Sequence, residues 1–234
     1  MAMRPAVFVL LHSPLVGPLT WSRVAAELVG RGYEVIRPVL SDRPAPGQTF
    51  WQVDVAAAAR QIRAAVGEAP LILTSHSGAG PLLPAIRQAL PNPVAAYLFV
   101  DAGIPQAGAS RLDLMRAEDP AWAAGFAAEL TAGATFPNWR APDLAAILPD
   151  EALRQQMVAE LQPRSLPFFT EPIPVFAGWP DAPVAVVQFS PPYERSVRWA
   201  EERSWPAFRL PAGHFHMLVD PVAVADAMLA AANL

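Results

Sequence analysis

A serine on a turn between a strand and a helix is the first feature of the sequence that could do chemistry. An apolar run at 71–74 predicts a short buried strand, and it leads into SHSGAG at 75–80 and then a helical pattern. A serine on such an elbow is held above the sheet, and the amide groups at the start of the helix favour an oxyanion. The usual motif, G-x-S-x-G, has Ser75 and Ala79 in place of its glycines, so only its demand for small residues is met. Ser77 is therefore the candidate nucleophile.

A histidine late in the chain is the candidate general base. His214 lies between a strand predicted at 207–210 and a helix predicted at 222–231. A nucleophile elbow requires its histidine after the nucleophile and the acid in chain order. His216 would face the opposite way in an extended loop, so we interpret it as structural. A His-x-His metal site would lack an evident third ligand, so we predict neither a metal nor any other cofactor.

The elements that must position these residues alternate regularly. Short apolar runs indicate strands that are buried on both faces, and helical patterns separate them. This alternation predicts an α/β fold, a doubly wound and mostly parallel sheet with flanking helices. The strands are predicted at 6–11, 33–39, 71–74, 95–100, 184–189 and 207–210, and the main helices at 21–29, 50–66, 78–90, 196–203 and 222–231.

The alternation lapses between residues 102 and 180, where we predict an inserted helical cap. Helix starts are signalled by Asp119, which precedes a proline, and by Asp150. The predicted core then comprises 1–101 and 181–234.

Aromatic residues gather in the predicted cap. Most of them should only pack the cap onto the core, because aromatic side chains are more often core than pocket lining. Trp122 and Trp139 are our candidates for an apolar pocket wall.

Four landmarks in order resemble the α/β-hydrolase superfamily over nearly the whole length. VFVLLHSP looks like its first conserved strand and oxyanion loop, TSHSGAG like its nucleophile elbow, LFVDAG like the next strand, and GHFHMLVDP like its histidine loop. The cap more loosely resembles the compact lid of small esterases and hydroxynitrile lyases. The resemblance implies Ser77 as nucleophile and His214 as catalytic histidine.

The resemblance leaves two positions for the triad acid. The family usually carries the acid after the strand matched by 184–189, but this sequence has prolines there, followed by Tyr193 and Glu194. A minority of the family places it one strand earlier, and Asp101 matches that site. Asp101 is our first candidate and Glu194 the alternative.

The resemblance also implies an oxyanion hole that departs from the common pattern. One donor should be the N–H of Gly78, the residue after the nucleophile. Most relatives have His-Gly in the first loop, but here Ser13 replaces that glycine and Pro14 has no N–H to give. Leu15 or Ser13 must then supply the second donor, or the hole is altered.

The composition of the chain restricts the kinds of molecule that it is expected to bind. The chain of 234 residues has a net charge of −4 and no cysteine, and it shows no basic cluster. We therefore expect a small-molecule substrate and no nucleic-acid or membrane partner. No apolar stretch approaches the roughly 20 residues that span a bilayer, and the N-terminal run is too short for a signal peptide, so a cytoplasmic location is expected. The sequence does not indicate the oligomeric state.

Three functions compete. The first is a cofactor-independent serine hydrolase that cleaves a small, largely apolar ester or lactone through an acyl-enzyme on Ser77. The second is a non-hydrolytic enzyme on the same scaffold, a lyase or a tailoring enzyme of secondary metabolism, which the unusual first loop favours. The third is a catalytically silent ligand-binding protein, against which the presence of both Ser77 and His214 argues.

Overall fold

The computed structural model describes residues 5–40 and 43–233, and its centre is a parallel sheet of six strands. The strands lie in the order β2-β1-β3-β4-β5-β6, and each neighbouring pair is parallel. The predicted fold class is thereby confirmed. The strands are β1 (Val7–Leu11), β2 (Val35–Ile36), β3 (Leu71–Ser77), β4 (Val94–Ala102), β5 (Val184–Gln188) and β6 (Ala207–Arg209).

Helices cover the sheet and fill the long connection between β4 and β5. In chain order the α-helices are α1 (Ser22–Gly30), α2 (Phe50–Val66), α3 (Leu83–Gln88), α4 (Arg111–Glu118), α5 (Pro120–Thr131), α6 (Glu151–Ala159), α7 (Leu166–Thr170), α8 (Glu194–Glu202), α9 (His216–Val219) and α10 (Pro221–Ala231). No helix within the described residues is long and apolar enough to cross a membrane.

Two hydrophobic cores lie on opposite faces of the sheet because successive side chains of a strand point to opposite sides. In β1, Val7 and Val9 face the core beneath α2, α3 and α8, whereas Phe8 and Leu10 face the core beneath α1 and α10. This burial on both faces explains why the strands appear in the sequence as continuous apolar runs.

Two elements are shorter than the sequence predicts. The edge strand predicted at 33–39 is reduced to Val35–Ile36, and Pro38, which lacks an N–H, cannot continue a ladder. The helix predicted at 78–90 begins with a 3₁₀ turn at Gly80–Leu82, and α3 itself covers only Leu83–Gln88.

The segment 103–183, which we call the cap, contains α4 to α7. Its helix caps were predicted correctly: Asp119 accepts a hydrogen bond from the N–H of Trp122, and Asp150 from that of Leu153. The division of the chain into core and cap domains stays a prediction.

The carboxylate of Glu171, which Arg111 pairs with inside the cap, fastens the cap to the core. Glu171 accepts hydrogen bonds from the N–H groups of Phe50 and Trp51, at 2.8 and 2.9 Å, and so caps α2. Arg111, which is 3% exposed, donates to Glu171 at 3.2 Å and stacks on the Phe168 ring at 3.9 Å. A carboxylate at a helix N-terminus is favoured by the helix dipole, so this contact fixes the cap against α2.

Candidate active site

The candidate residues converge at the carboxyl edge of the sheet. Ser77 ends β3 and Asp101 lies near the end of β4, while His214 follows β6. The loop at 12–16 follows β1, the neighbour of β3. In open α/β sheets this edge is where ligands bind, so the topology places four separate segments around one site.

The turn that carries Ser77 is strained and tightly packed. Ser77 has a φ of 55°, in the left-handed region that a residue with a side chain rarely adopts. A β-carbon on Gly80 would lie 2.0 Å from the carbonyl oxygen of Gly103, so only glycine fits there. The required glycine therefore stands one position after the Ala79 that occupies the motif's final place.

Asp101 and His214 are joined by a short hydrogen bond. His214 Nδ1 lies 2.6 Å from Asp101 Oδ2. The carboxylate is fully buried and accepts three further hydrogen bonds, from the N–H groups of Phe189 and Ser190 and from the Ser190 hydroxyl. The loop after β5, where relatives usually carry the acid, here supplies the donors that hold an acid from β4.

The alternative acid lies elsewhere. Glu194 binds Arg209 at 3.0 Å and accepts a hydrogen bond from Gln188 Nε2 at 3.1 Å. The hydrogen bond from Arg209 is the main cause that lowers the pKa of Glu194. The structure thus places Asp101, and not Glu194, against His214.

Tyr193 is a site residue that sequence reasoning missed. Its hydroxyl lies 3.1 Å from Ser77 Oγ, and its ring stacks on His214 with centroids 5.4 Å apart and planes 9° apart. Burial is the main cause that raises the pKa of the phenol, and the nearby Asp101 carboxylate raises it further. The one signal in the sequence was its position just after the two prolines that stand where the family's acid is expected.

Two further histidines, His76 and His216, have separate surroundings. The fully buried His76 makes a hydrogen bond through Nε2 with the carbonyl oxygen of His214 at 3.0 Å, and burial holds its pKa well below the usual range. A carbonyl can only accept, so His76 Nε2 must carry the proton. His216 begins a helix and its ring lies edge-on to Phe189. The chain is helical and not extended at this point, and the structural role of His216 stays a prediction. Within residues 5–40 and 43–233, no three histidine, aspartate or glutamate side chains gather as a metal site would require.

Hydrogen bonds at the two ring nitrogens of His12 hold the loop after β1 beside Ser77. His12 Nδ1 donates to the carbonyl oxygen of Ser13 at 2.8 Å and His12 Nε2 accepts from the Leu40 N–H at 3.0 Å. Burial lowers the pKa of His12 to about 4. The Leu15 N–H, a candidate oxyanion donor, is directed at Ser13 Oγ at 3.3 Å. A β-carbon on Gly78 would lie 3.2 Å from the same Ser13 Oγ, so that hydroxyl lies close to Gly78 as well as to the Leu15 N–H.

A cavity of about 830 Å³ opens over these residues. Ser77, His214 and Tyr193 line it, as do both candidate tryptophans. Trp122 is 49% exposed and stacks on Phe126, while Trp139 packs edge-on against Phe215. The volume is that of a small-molecule site. The charged lining residues are Arg111, Glu118, Asp119, Asp143 and Arg195.

Residues 8–227 match the model of a family described as the alpha/beta hydrolase family. The chain belongs to this family. No curated protein matches the chain.

Solved structures of hydrolases and related enzymes share the fold. An extracellular alpha/beta-hydrolase from a Paenibacillus species is 18% identical with a TM-score of 0.77, over 97% of this chain and 99% of that one. Its description gives it structural and functional homology to tobacco salicylic acid binding protein 2. Polyneuridine aldehyde esterase is 16% identical with a TM-score of 0.73, over 97% and 99%. A pyrethroid hydrolase from Sphingobium faniae JZ-2 is 20% identical with a TM-score of 0.69, over 97% of each chain. At these identities the likeness concerns the fold alone.

Proposed function

We propose that this member of the alpha/beta hydrolase family is a serine hydrolase that cleaves a small, largely apolar ester or lactone. The observation that carries the proposal is the 2.6 Å contact between His214 Nδ1 and Asp101 beside Ser77 on its strained elbow. A carboxylate on Nδ1 fixes the tautomer whose other nitrogen, Nε2, can accept a proton. No metal or cofactor is needed for this chemistry.

The reaction follows from these positions. Ser77 Oγ attacks the substrate carbonyl while its proton passes to His214 Nε2. The protonated His214, stabilised by Asp101, then gives that proton to the leaving alcohol, and water hydrolyses the acyl-enzyme by the same route. In the resting structure Ser77 Oγ is hydrogen-bonded to Tyr193. Contacts between nucleophile and base are often loose before substrate binds, so Oγ need approach His214 only in the complex.

We assign the oxyanion hole to the Gly78 N–H and the Ser13 hydroxyl. Ser13 Oγ accepts from the Leu15 N–H, which leaves the hydroxyl proton free to point into the cavity. This arrangement replaces the backbone donor that the family's usual loop would supply.

The substrate class rests on the cavity. Its size suits a small molecule, and the aromatic residues of the cap give it apolar walls around Ser77. The names of the similar structures, an esterase and a pyrethroid hydrolase, agree with ester cleavage.

A non-hydrolytic reaction is the second candidate, and one observation favours it. The Leu15 N–H is engaged with Ser13 Oγ, so the oxyanion hole differs from the form that suits acyl transfer best. A lyase or a tailoring enzyme needs no such hole.

Labelling with a fluorophosphonate probe, followed by a panel of esters and lactones, separates the candidates. We expect covalent labelling and turnover, both lost in Ser77→Ala with little change in melting temperature. Labelling without turnover on the whole panel would favour the second candidate. The absence of labelling would point to a silent ligand-binding protein.

A further inference from the structure

A hydrogen-bonded turn holds the Tyr193 hydroxyl against Ser77 Oγ. Its 3₁₀ turn, Pro191–Tyr193, contains two prolines, and the preceding Ser190 donates to Asp101 through both its N–H and its hydroxyl. The Tyr193 N–H donates in turn to the Ser190 carbonyl. The same carboxylate that orients His214 therefore also fixes the segment that carries the phenol.

The direction of the hydrogen bond between Tyr193 and Ser77 follows from counting protons. A serine hydroxyl has one proton, and in the reacting complex that proton must point to His214 Nε2. In that state the phenol must be the donor in its 3.1 Å contact with Ser77 Oγ. Because burial raises the pKa of Tyr193 above its usual value of about 10, the phenol stays protonated at neutral pH.

This contact favours one half of the proposed reaction over the other. During acylation Ser77 Oγ attacks, and a donor on that oxygen gives no help to the attack. During deacylation Ser77 Oγ is the leaving group, and it gains negative charge as its bond to the acyl carbon breaks. A donor already aimed at that oxygen stabilises the charge where it develops.

We propose that Tyr193 is a catalytic residue of deacylation, which donates a hydrogen bond to Ser77 Oγ as the acyl group leaves. Water adds to the acyl carbon and loses a proton to His214 Nε2. The bond from carbon to Oγ then breaks, the acid product departs, and His214 returns its proton to Oγ. Tyr193 keeps its own proton throughout. This inference rests on the proposed serine hydrolase function.

The test compares Tyr193→Phe with the parent enzyme on a p-nitrophenyl ester by stopped-flow kinetics. Phenylalanine keeps the ring that stacks on His214 and removes only the hydroxyl. We expect the burst of nitrophenolate to keep its rate within about threefold, while the following steady state slows by about ten- to a hundredfold, as for loss of one donor to developing charge. Intact-mass spectrometry should then show Tyr193→Phe accumulating as the acyl-enzyme.

Tyr33→Phe is the matched control, because Tyr33 packs on Phe8 at the other end of β1 from the site and loses the same hydroxyl. It should leave both phases unchanged. Equal slowing of both phases in Tyr193→Phe, slowing of the burst alone, or no change would overturn the inference while the hydrolase proposal stands. If the parent enzyme is not acylated by the ester or by the fluorophosphonate, both proposals fail together.

Discussion

Asp101, the proposed triad acid, makes two kinds of contact. It binds His214 Nδ1 and also gathers the loop after β5 through Phe189 and Ser190. It adopts a φ of 44°, a left-handed conformation that aspartate tolerates better than most residues. Replacement should therefore affect the chemistry first and the loop second.

Asp101→Asn should slow turnover by roughly a hundred- to ten-thousand-fold, because an amide can hold His214 in the wrong tautomer and cannot stabilise its cation. Glu194→Gln, whose side chain faces Arg209, should cost less than about tenfold and serves as the control. Steady-state kcat/KM on the best ester of the panel measures both. A loss below tenfold in Asp101→Asn would remove Asp101 from the triad.

Ser13 gives a prediction whose sign is decisive. If its hydroxyl is an oxyanion donor, Ser13→Ala and Ser13→Gly should each lower kcat by about a hundred- to a thousandfold. If instead Ser13 Oγ only accepts the hydrogen bond of the Leu15 N–H, both variants free that N–H to bind the oxyanion, and kcat should rise. Measuring kcat with KM for one ester separates the two, and a rise in either variant would transfer the second oxyanion donor to Leu15.

The single residues of the site differ in how far the sequence could indicate them. Ser77, His214 and Asp101 could be proposed because each follows a strand in the order that the nucleophile elbow demands. Tyr193 could not, because its position after two prolines does not by itself show that its hydroxyl reaches Ser77. Its place depends on hydrogen bonds between Ser190 and Asp101 that join segments 89 residues apart.

At the scale of elements, the position of Ser77 depends on a close contact between the turn after β3 and the residue that follows β4. Gly80 and Gly103 touch backbone to backbone at this point. A side chain here would push β3 away from β4 and would separate Ser77 from Asp101. The geometry of the site therefore rests on a residue that takes no part in the chemistry.

Gly80→Ala should lower the free energy of unfolding by about 2 kcal/mol or more, as overpacking does, and should also reduce kcat. Gly125→Ala is the matched control, because Gly125 lies in α5 with open space around its α-carbon. It should stabilise the protein by about 0.5–1 kcal/mol through helix propensity. Urea denaturation and ester turnover measure both variants. An unchanged stability in Gly80→Ala would show that the two strands can separate freely.

The bounds of a strand could be predicted from the sequence where burial of its side chains alone determines them. The apolar runs gave β1, β3, β4 and β5 to within a few residues at each end, because a strand buried on both faces needs little else. The partly exposed edge strand β6 was also located. The edge strand at Val35–Ile36 was overestimated, since its length is set by pairing with β1 and by a proline. The 3₁₀ start after the elbow follows from the contact between Gly80 and Gly103, which no local pattern encodes.

At the scale of the whole molecule, some charged side chains are buried and hold distant segments together, which the composition alone does not reveal. Only 16% of the residues are charged, yet Arg111 is 3% exposed and pairs with Glu171, whose carboxylate joins the cap to α2. A sequence identifies such residues as surface by default, because arginine is rarely buried without a partner. The partners here come from distant segments, so the attachment of the cap became visible only in the structure.

The last prediction concerns pH and the stability of the whole fold. His12 is buried and neutral, with its two ring nitrogens committed to Ser13 and Leu40. Its pKa is lowered from 6.5 in the unfolded chain to about 4 in the folded protein. At pH values between about 4 and 6.5, His12 is protonated in the unfolded chain but stays neutral in the folded protein. The free energy of unfolding is therefore highest with respect to His12 above pH 6.5. It decreases as the pH drops and stops decreasing below about pH 4.

The gap between the two pKa values corresponds to about 3 kcal/mol of stability lost across this window. The free energy of unfolding in urea, measured at several pH values from about 7.5 to 4, should fall by about that much more in the parent protein than in His12→Gln. Glutamine can still accept from the Leu40 N–H but does not titrate. The pKa of His76 is lowered mainly by its own burial, and His12 is the smallest of the causes, so most of the His76 contribution is common to both proteins and cancels in the comparison. Parallel pH curves for the two proteins would mean that His12 is protonated in the fold, and the position of the loop beside Ser77 would need another explanation.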